Sequence, residues 1–305
     1  MLKSRKEAIK FKDRLIKGIT PDGFFKVSVI KTTDVVRSAR ERHDLSLLNT
    51  VLLGRTLTAS MLLASELKGE ERISLKLEGN GPVGMLMAEA NRAGEIRGYS
   101  SNPEAELPLS ENGTTPSLGD GLGIGLLTVS KVLYNEAKPR TSTIQLHEGD
   151  ITTDVAHYLA QSEQIPSAIL LDVKLSDEGD VVQAGGLLVQ RLPGAPDDAV
   201  EELQERLTRF DQISELLDQG LYIDRIMKRA LKPGDVREID RQQVHFFCRC
   251  NRDRFLSALS LLSYDELKEL EGESQEMICH YCSNKVQISA NEIDGLVASA
   301  RAKLN

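Results

Sequence analysis

The chain has 305 residues, enough for two or three domains. Its apolar content of 40% is that of a folded protein, whereas aromatic residues make up only 4% and Trp is absent. A net charge of −8 repels phosphates and so few aromatic rings leave little to stack on bases, so the composition argues against a nucleic-acid partner. The N-terminus, MLKSRKEAIKF, lacks the apolar run of a secretory signal, and no stretch approaches the ~18 apolar residues of a membrane span. The expectation is a cytoplasmic protein with no membrane partner, in which cysteines serve as metal ligands or redox centres rather than structural disulfides.

Residues 1–17 are charged with scattered apolar positions and predict a flexible arm or a first helix. From Gly23 the run FFKVSVI predicts a strand, and 33–43 and 45–67 predict helices, the second with Leu48, Leu52, Met61 and Leu62 among its apolar positions. ISLKLEG at 73–79 alternates, with Ile73, Leu75 and Leu77 on one face and Ser74, Lys76 and Glu78 on the other, the pattern of a half-buried antiparallel strand. VGMLMAEA and GEIRGYS, broken by Asn91 and Gly94, predict a hairpin or meander, and 100–120, rich in Pro, Gly, Ser and Asn, a long surface loop. GIGLLTVSKV and TSTIQLHEG predict strands, ITTDVAHYLAQSEQ an amphipathic helix, and AILLDVKL and VVQAGGLLVQRL two strands around the acidic turn SDEGD. Residues 1–192 therefore predict an α+β domain around a mostly antiparallel sheet.

Pro193, Gly194 and Pro196 then punctuate the chain, and 193–234 predicts a charged helical linker. Residues 197–218 carry eight acidic and two basic residues, while Val200, Leu203, Leu207, Phe210, Ile213 and Leu217 recur every three or four positions as one narrow apolar stripe. An ordinary surface helix with a solvated acidic face fits this as well as a special role does. Lys232-Pro233-Gly234 ends the segment, and 235–305 predicts a small C-terminal domain holding every cysteine.

Those cysteines form C-x-C at Cys248 and Cys250, then, after twenty-eight residues, C-x-x-C at Cys279 and Cys282. Two short-spaced pairs flanking a small segment are how a chain wraps a tetrahedral ion, and zinc suits four thiolates. One zinc ion per chain is expected, with all four cysteines as ligands. From spacing alone the ordinary reading of such a site is structural, without switching. His245 and His280 lie close in sequence, but four sulfurs already complete the shell, and His43, His147 and His157 have no evident partner. Between the pairs RDRFLSALSLL and YDELKELE predict helices; Ser263 with Glu266, and Ser289 with Glu292, fit capping boxes, and CSNKVQIS predicts a knuckle turn entering a strand.

Elsewhere GDGLGIG at 119–125 lacks the Lys-Ser/Thr of a phosphate loop, the sequon NGT at 112–114 has no secretory route, and no nucleophile–base pair or paired carboxylates stand out. No enzymatic activity is expected. Two other readings of the cysteines stay open: a zinc-ribbon nucleic-acid binder, which requires a basic face where 265–276 reads DELKELEGESQE, and a thiol–disulfide enzyme, which lacks a βαβ context for its C-x-x-C.

FFCRCNRDR at 246–254, MICHYCSNK at 277–285, HYLAQSEQIPSA at 157–168, AGGLLVQRLPGA at 184–195, GPVG at 81–84 and GEIRGYS at 94–100 carry a resemblance along nearly the whole chain. With these motifs the chain resembles the bacterial thirty-three-kilodalton heat-shock proteins, redox-regulated holdase chaperones. One departure is Ser283, where that family commonly has Gly; a knuckle can still form over Ser283-Asn284, since Asn tolerates positive φ. The resemblance implies an ATP-independent chaperone of the stress response. Its reduced form holds zinc and is inactive. Oxidation forms Cys248–Cys250 and Cys279–Cys282 disulfides, releases zinc, and unfolds the C-terminal domain and linker. The oxidised form is expected to bind unfolded or misfolded client proteins and to pair as a homodimer through newly exposed apolar stripes.

Overall fold

The computed structural model describes residues 12–107, 117–231 and 236–304. The chain divides into two compact units, Met1–Phe247 and Cys248–Asn305.

The first unit is built on two sheets. Strands β1 (Arg14–Ile19), β2 (Phe25–Lys31), β8 (Ser167–Leu175), β9 (Val181–Arg191) and β10 (Arg237–Gln243) form one, in the order β10-β1-β2-β9-β8 and antiparallel throughout. The other contains β3 (Arg72–Gly79), β4 (Met85–Asn91), β5 (Glu95–Ser100), β6 (Gly125–Val132), β7 (Arg140–Gln145) and the short β11 (His245–Phe246), in the order β11-β5-β4-β3-β6-β7. The predicted strand periodicity carries through: Ile73, Leu75 and Leu77 are fully buried and the intervening side chains are not. Of the segment expected to be an arm or first helix, Arg14–Ile19 is a strand, because Leu15 and Ile16 are wanted on opposite faces by two different cores; residues 1–11 lie outside the described residues. The expected loop at 100–120 is described only at its two ends, the second of which winds into a 3-10 turn at Leu118–Gly121.

Helices α1 (Thr33–His43), α2 (Leu47–Ala64) and α3 (Ile151–Gln161) complete the body. Helix α2 packs against strands of both sheets and is the centre of the main core. It has the length and apolarity of a short membrane span, contrary to the expectation from composition, but it is 83% buried inside the fold. Its buried hydroxyls explain how: Thr50, Thr56 and Thr58 each donate to the carbonyl four residues back, at 2.7–2.8 Å, so these hydroxyls are not stranded. Helix α1 is capped from a distance. Asp13, buried at the head of β1, accepts the Val35 N–H at 2.9 Å and pairs with Lys31 at 2.8 Å.

The linker is not one helix but three: α4 (Asp197–Thr208), α5 (Ile213–Asp218) and α6 (Ile223–Ala230), with Gly220 turning the chain at φ 80°. Their apolar side chains lie on the face of the first sheet opposite α2. Leu207, Ile213, Leu216, Leu217, Ile226 and Met227 are buried there against Ile16, Val27, Val29, Leu187 and Val189, and Val200, Leu203 and Phe210 pack around them. Each fully buried aliphatic side chain contributes about 1.5–3 kcal/mol relative to exposure. Polar contacts fix the register of α5. Asp172 on β8 accepts from the N–H and the hydroxyl of Ser214, and Lys174 pairs with Asp218 at 2.8 Å.

The two glycines of AGGLLVQ serve opposite faces of β9. A Cβ on Gly185 would stand 3.1 Å from both Ile213 and Leu217 of α5, and one on Gly186 would stand 3.0 Å from Thr58 of α2. After the linker the chain returns to the body, where β10 extends the first sheet beside β1 and β11 joins the second beside β5. The C-terminal domain, expected from 235, thus differs from the compact unit, which starts at Cys248.

Gly185→Ala should strain β9, since the added carbon would also lie 2.5 Å from the Ile30 carbonyl oxygen, and should loosen α5. We expect a cost of about 1–3 kcal/mol and faster limited proteolysis within 197–231, with cleavage in β3–β7 unchanged; an unaltered digest would show that α5 does not need this close approach. Burial, opposed by Lys31, raises the Asp13 carboxyl to about 6. The folded state therefore holds this proton more tightly than the unfolded chain, and the associated stability is complete below the ordinary carboxyl range and is lost as pH rises through about 6. Urea unfolding at pH 5 and pH 7.5 should show this loss, and Asp13→Asn should flatten it.

Candidate metal centre

The second unit is small and its core is thin. Helices α7 (Arg252–Leu259), α8 (Tyr264–Glu269) and α9 (Ala290–Leu304) and the hairpin β12 (Gln275–Ile278)–β13 (Lys285–Ile288) bury Leu259, Leu267, Ile288, Ile293 and Val297 as their apolar cluster. Local devices compensate at the ends of the elements. Ser263 and Glu266 form the expected capping box at the start of α8. Before α9 the Glu292 carboxylate accepts from both the N–H and the hydroxyl of Ser289. Arg252 spans from α7 to donate to Glu292 at 2.9 Å and to the Gln287 carbonyl at 2.8 Å, and its guanidinium holds the Glu292 carboxyl down to about 2.

The cysteines come from two places. Cys248 and Cys250 lie on the extended chain just before α7, whose first turn is capped by Asn251 accepting the Arg254 N–H at 2.9 Å. Cys279 and Cys282 lie on the turn between β12 and β13. This turn is a knuckle: the Ser283 N–H donates to the Cys279 carbonyl at 2.8 Å and the Cys279 N–H to the Asn284 carbonyl at 3.0 Å. The left-handed residue that closes it is Ser283 itself, at φ 54°, rather than Asn284.

All four Sγ atoms lie within 4.8 Å of one another. Cys248 faces Cys279 at 3.7 Å and Cys250 faces Cys282 at 3.3 Å. Four sulfurs ~2.3 Å from one zinc ion stand ~3.8 Å apart along each tetrahedral edge, whereas a disulfide requires ~2.05 Å. None of the four is in a disulfide among the described residues, with Cys282 buried and the other three half-buried. Burial pushes the Cys279 and Cys282 thiols above their ordinary range. Left to themselves these two thiols stay protonated; a divalent cation reverses this by favouring the thiolates. The donor set therefore fits a soft or borderline cation such as zinc.

The group of side chains able to hold an ion contains the four cysteines and neither His245 nor His280. His245 instead lies on β11, its ring tilted against Phe247 at 5.7 Å, and His280 is exposed on the knuckle. Of the other histidines, His43 meets Phe246 edge-on, and His147 stacks on His157 at 5.6 Å. The sequence reading did not single out the pairing of Arg252 with Glu292, because forty residues separate them and each looks like an ordinary surface charge.

A two-sheet body covered by linker helices and followed by a four-thiol knuckle defines an α+β class of protein with a C-terminal cysteine module, and the comparisons say which. Residues 13–289 match the family model described as Hsp33 protein. A 33 kDa chaperonin of Thermus thermophilus is 38% identical over 94% of this chain and 87% of its own. Another, from Levilactobacillus brevis, is 35% identical over 95% of this chain and 99% of its own. Among solved structures, that of the 33 kDa chaperonin (heat shock protein 33 homolog) of Thermotoga maritima matches with a TM-score of 0.87 at 32% identity, covering 95% of this chain and 99% of that one. The chain belongs to the Hsp33 family.

A left-handed Ser costs ~1–2 kcal/mol, and Gly gives part of that back through its looser unfolded state. Ser283→Gly should therefore stabilise this unit by about 0.5–1 kcal/mol. The gain should appear as a roughly two- to fivefold slower hydrogen exchange of amides in 275–300 of the reduced protein; faster exchange would show that the Ser283 side chain contributes more than its backbone strain removes.

Proposed function

We propose that this protein is a cytoplasmic, ATP-independent holdase chaperone switched on by oxidation. In the reduced form Cys248, Cys250, Cys279 and Cys282 hold one zinc ion. The observation that carries this reading is the contrast within the second unit: four thiols within 4.8 Å beside an apolar core of five buried side chains. So small a core leaves a unit of this size marginal, and a structural zinc ion supplies about 10–16 kcal/mol of apparent binding free energy. The protein's own part is to hold the sulfurs at tetrahedral spacing and the knuckle closed.

The chemistry of switching is the loss of that ligand set. Peroxide takes two electrons from each pair of thiolates and is reduced to water, forming Cys248–Cys250 and Cys279–Cys282 disulfides. Both bridges close very short loops, so they restore little of the lost order. Release of α4–α6 would uncover the apolar face around Val27, Val29, Leu187 and Val189, together with the linker's own stripe. Such a continuous apolar surface suits unfolded clients and, in their absence, a second copy of the chain. The linker's acidic outer face adds self-repulsion that favours the released state.

Reduced protein should contain one zinc ion per chain, unchanged in His245→Ala and His280→Ala and lost in Cys279→Ser with Cys282→Ser. Peroxide with mild heat should convert inactive protein into one that suppresses light scattering by a heat-denatured client, and reductant plus zinc should reverse it. If reduced, zinc-loaded protein suppresses scattering as well as the oxidised form does, the switch does not exist and the centre is structural.

A further inference from the structure

A groove of about 320 Å³ opens where the turn between α5 and α6 meets the end of the first sheet. Its cationic wall comes from both partners of that contact: Lys12, Arg14 and Lys31 from the start of the sheet, Arg241 from β10 and Arg225 from the linker helix α6. In a chain of net charge −8 this concentration is not a consequence of composition. Two of the cations are matched, Lys31 by Asp13 at 2.8 Å and Arg241 by both oxygens of Glu238 at 2.7 Å. Among the described residues Lys12, Arg14 and Arg225 have no ion-pair partner, and the carboxylate on the wall, Asp224, acts on Arg241.

Two further observations mark the groove as a place for an anion. Arg14 and Lys31 are directly opposed across β1 and β2, and Asp13 matches Lys31, so the Arg14 guanidinium is the charge of this pair with no carboxylate partner among the described residues. The Arg14 Nε is also buried without a hydrogen bond, a donor taken from water and given nothing in return. Arg14 and Arg225 line the groove from different elements, and a tetrahedral oxyanion can accept from two guanidinium forks at once.

We propose that this groove binds a phosphate dianion, free or as the end of a phosphomonoester, which bridges Arg14 of the sheet to Arg225 of the linker and fastens α6 against the sheet. The site lies wholly in the first unit and uses no cysteine, so it does not depend on the redox reading. The test is calorimetry on the full, reduced, zinc-loaded chain with inorganic phosphate, with glycerol phosphate, and with KCl at matched ionic strength. Saturable binding of one phosphate per chain is expected, weakened tenfold or more in Arg225→Gln, whose exposed side chain can be changed without disturbing the core, and likewise in Arg14→Gln. Arg209→Gln, outside the groove, should bind as the unaltered chain does. Tighter binding of glycerol phosphate than of the free ion would identify a phosphomonoester as the ligand, and the reverse order the free ion. Phosphate should also slow proteolysis within 197–231, and this protection should vanish in Arg225→Gln. Heat no greater than that of KCl, equal affinity in both groove variants and the unaltered chain, or a short poly-glutamate peptide that phosphate cannot displace would each overturn the assignment.

Discussion

One face of the first sheet has to be covered. Ile16, Val27, Val29, Leu187 and Val189 point away from the main core, and in water they would form a continuous apolar patch. The chain covers them with its own linker, through helices too short to be stable alone, α5 being six residues and α6 eight. Their order is borrowed from the sheet, and the sheet's solubility is borrowed from them. Because neither side is self-sufficient, the contact is a natural point for regulation: anything that biases the linker changes how much apolar surface the molecule shows.

The second unit has the complementary weakness. Its cluster of Leu259, Leu267, Ile288, Ile293 and Val297 is small, and its caps and the Arg252–Glu292 bridge lie in solvent, where ion pairs contribute at most about 1 kcal/mol. Four sulfurs at tetrahedral spacing are the strongest potential cross-link it possesses. On the proposed reading, a module ordered through thiolates would lose that order to an oxidant, without nucleotide or protease. Within the first unit β10 and β11 attach the chain to both sheets, so the linker is tethered to the body at its two ends, after β9 and before β10.

Much of the fold was legible in local pattern. The alternation of 73–79, the paired strands around SDEGD and the capping box at Ser263 and Glu266 all report interactions between near neighbours, which a sequence displays directly. Strand β10 was not legible, and for a physical reason. REIDRQQ carries one aliphatic residue and no buried side chain, so it has no periodicity to read; it is a strand because β1 offers it an open edge. The same holds for Asp13, which looks like one more charge in a charged N-terminus until the fold brings it under the first turn of α1. The apolar stripe of 197–218 was visible, but the surface it covers was not, since that depends on which face of the first sheet meets it, with β9 approached closely at Gly185.

By itself, the sequence determined the α+β class, the cysteine tetrad with its spacing and the amphipathic character of the linker, because each is written in the identity and period of residues close along the chain. Only the tertiary structure decided that the linker packs on the first sheet, that the segment up to Phe247 belongs with that sheet's unit, that Ser283 carries the left-handed turn, and that five cations converge beside α6. All but the Ser283 turn, which is set within the Cys279–Asn284 knuckle, depend on contacts between residues tens to hundreds of positions apart, and no local pattern encodes which distant surfaces will meet.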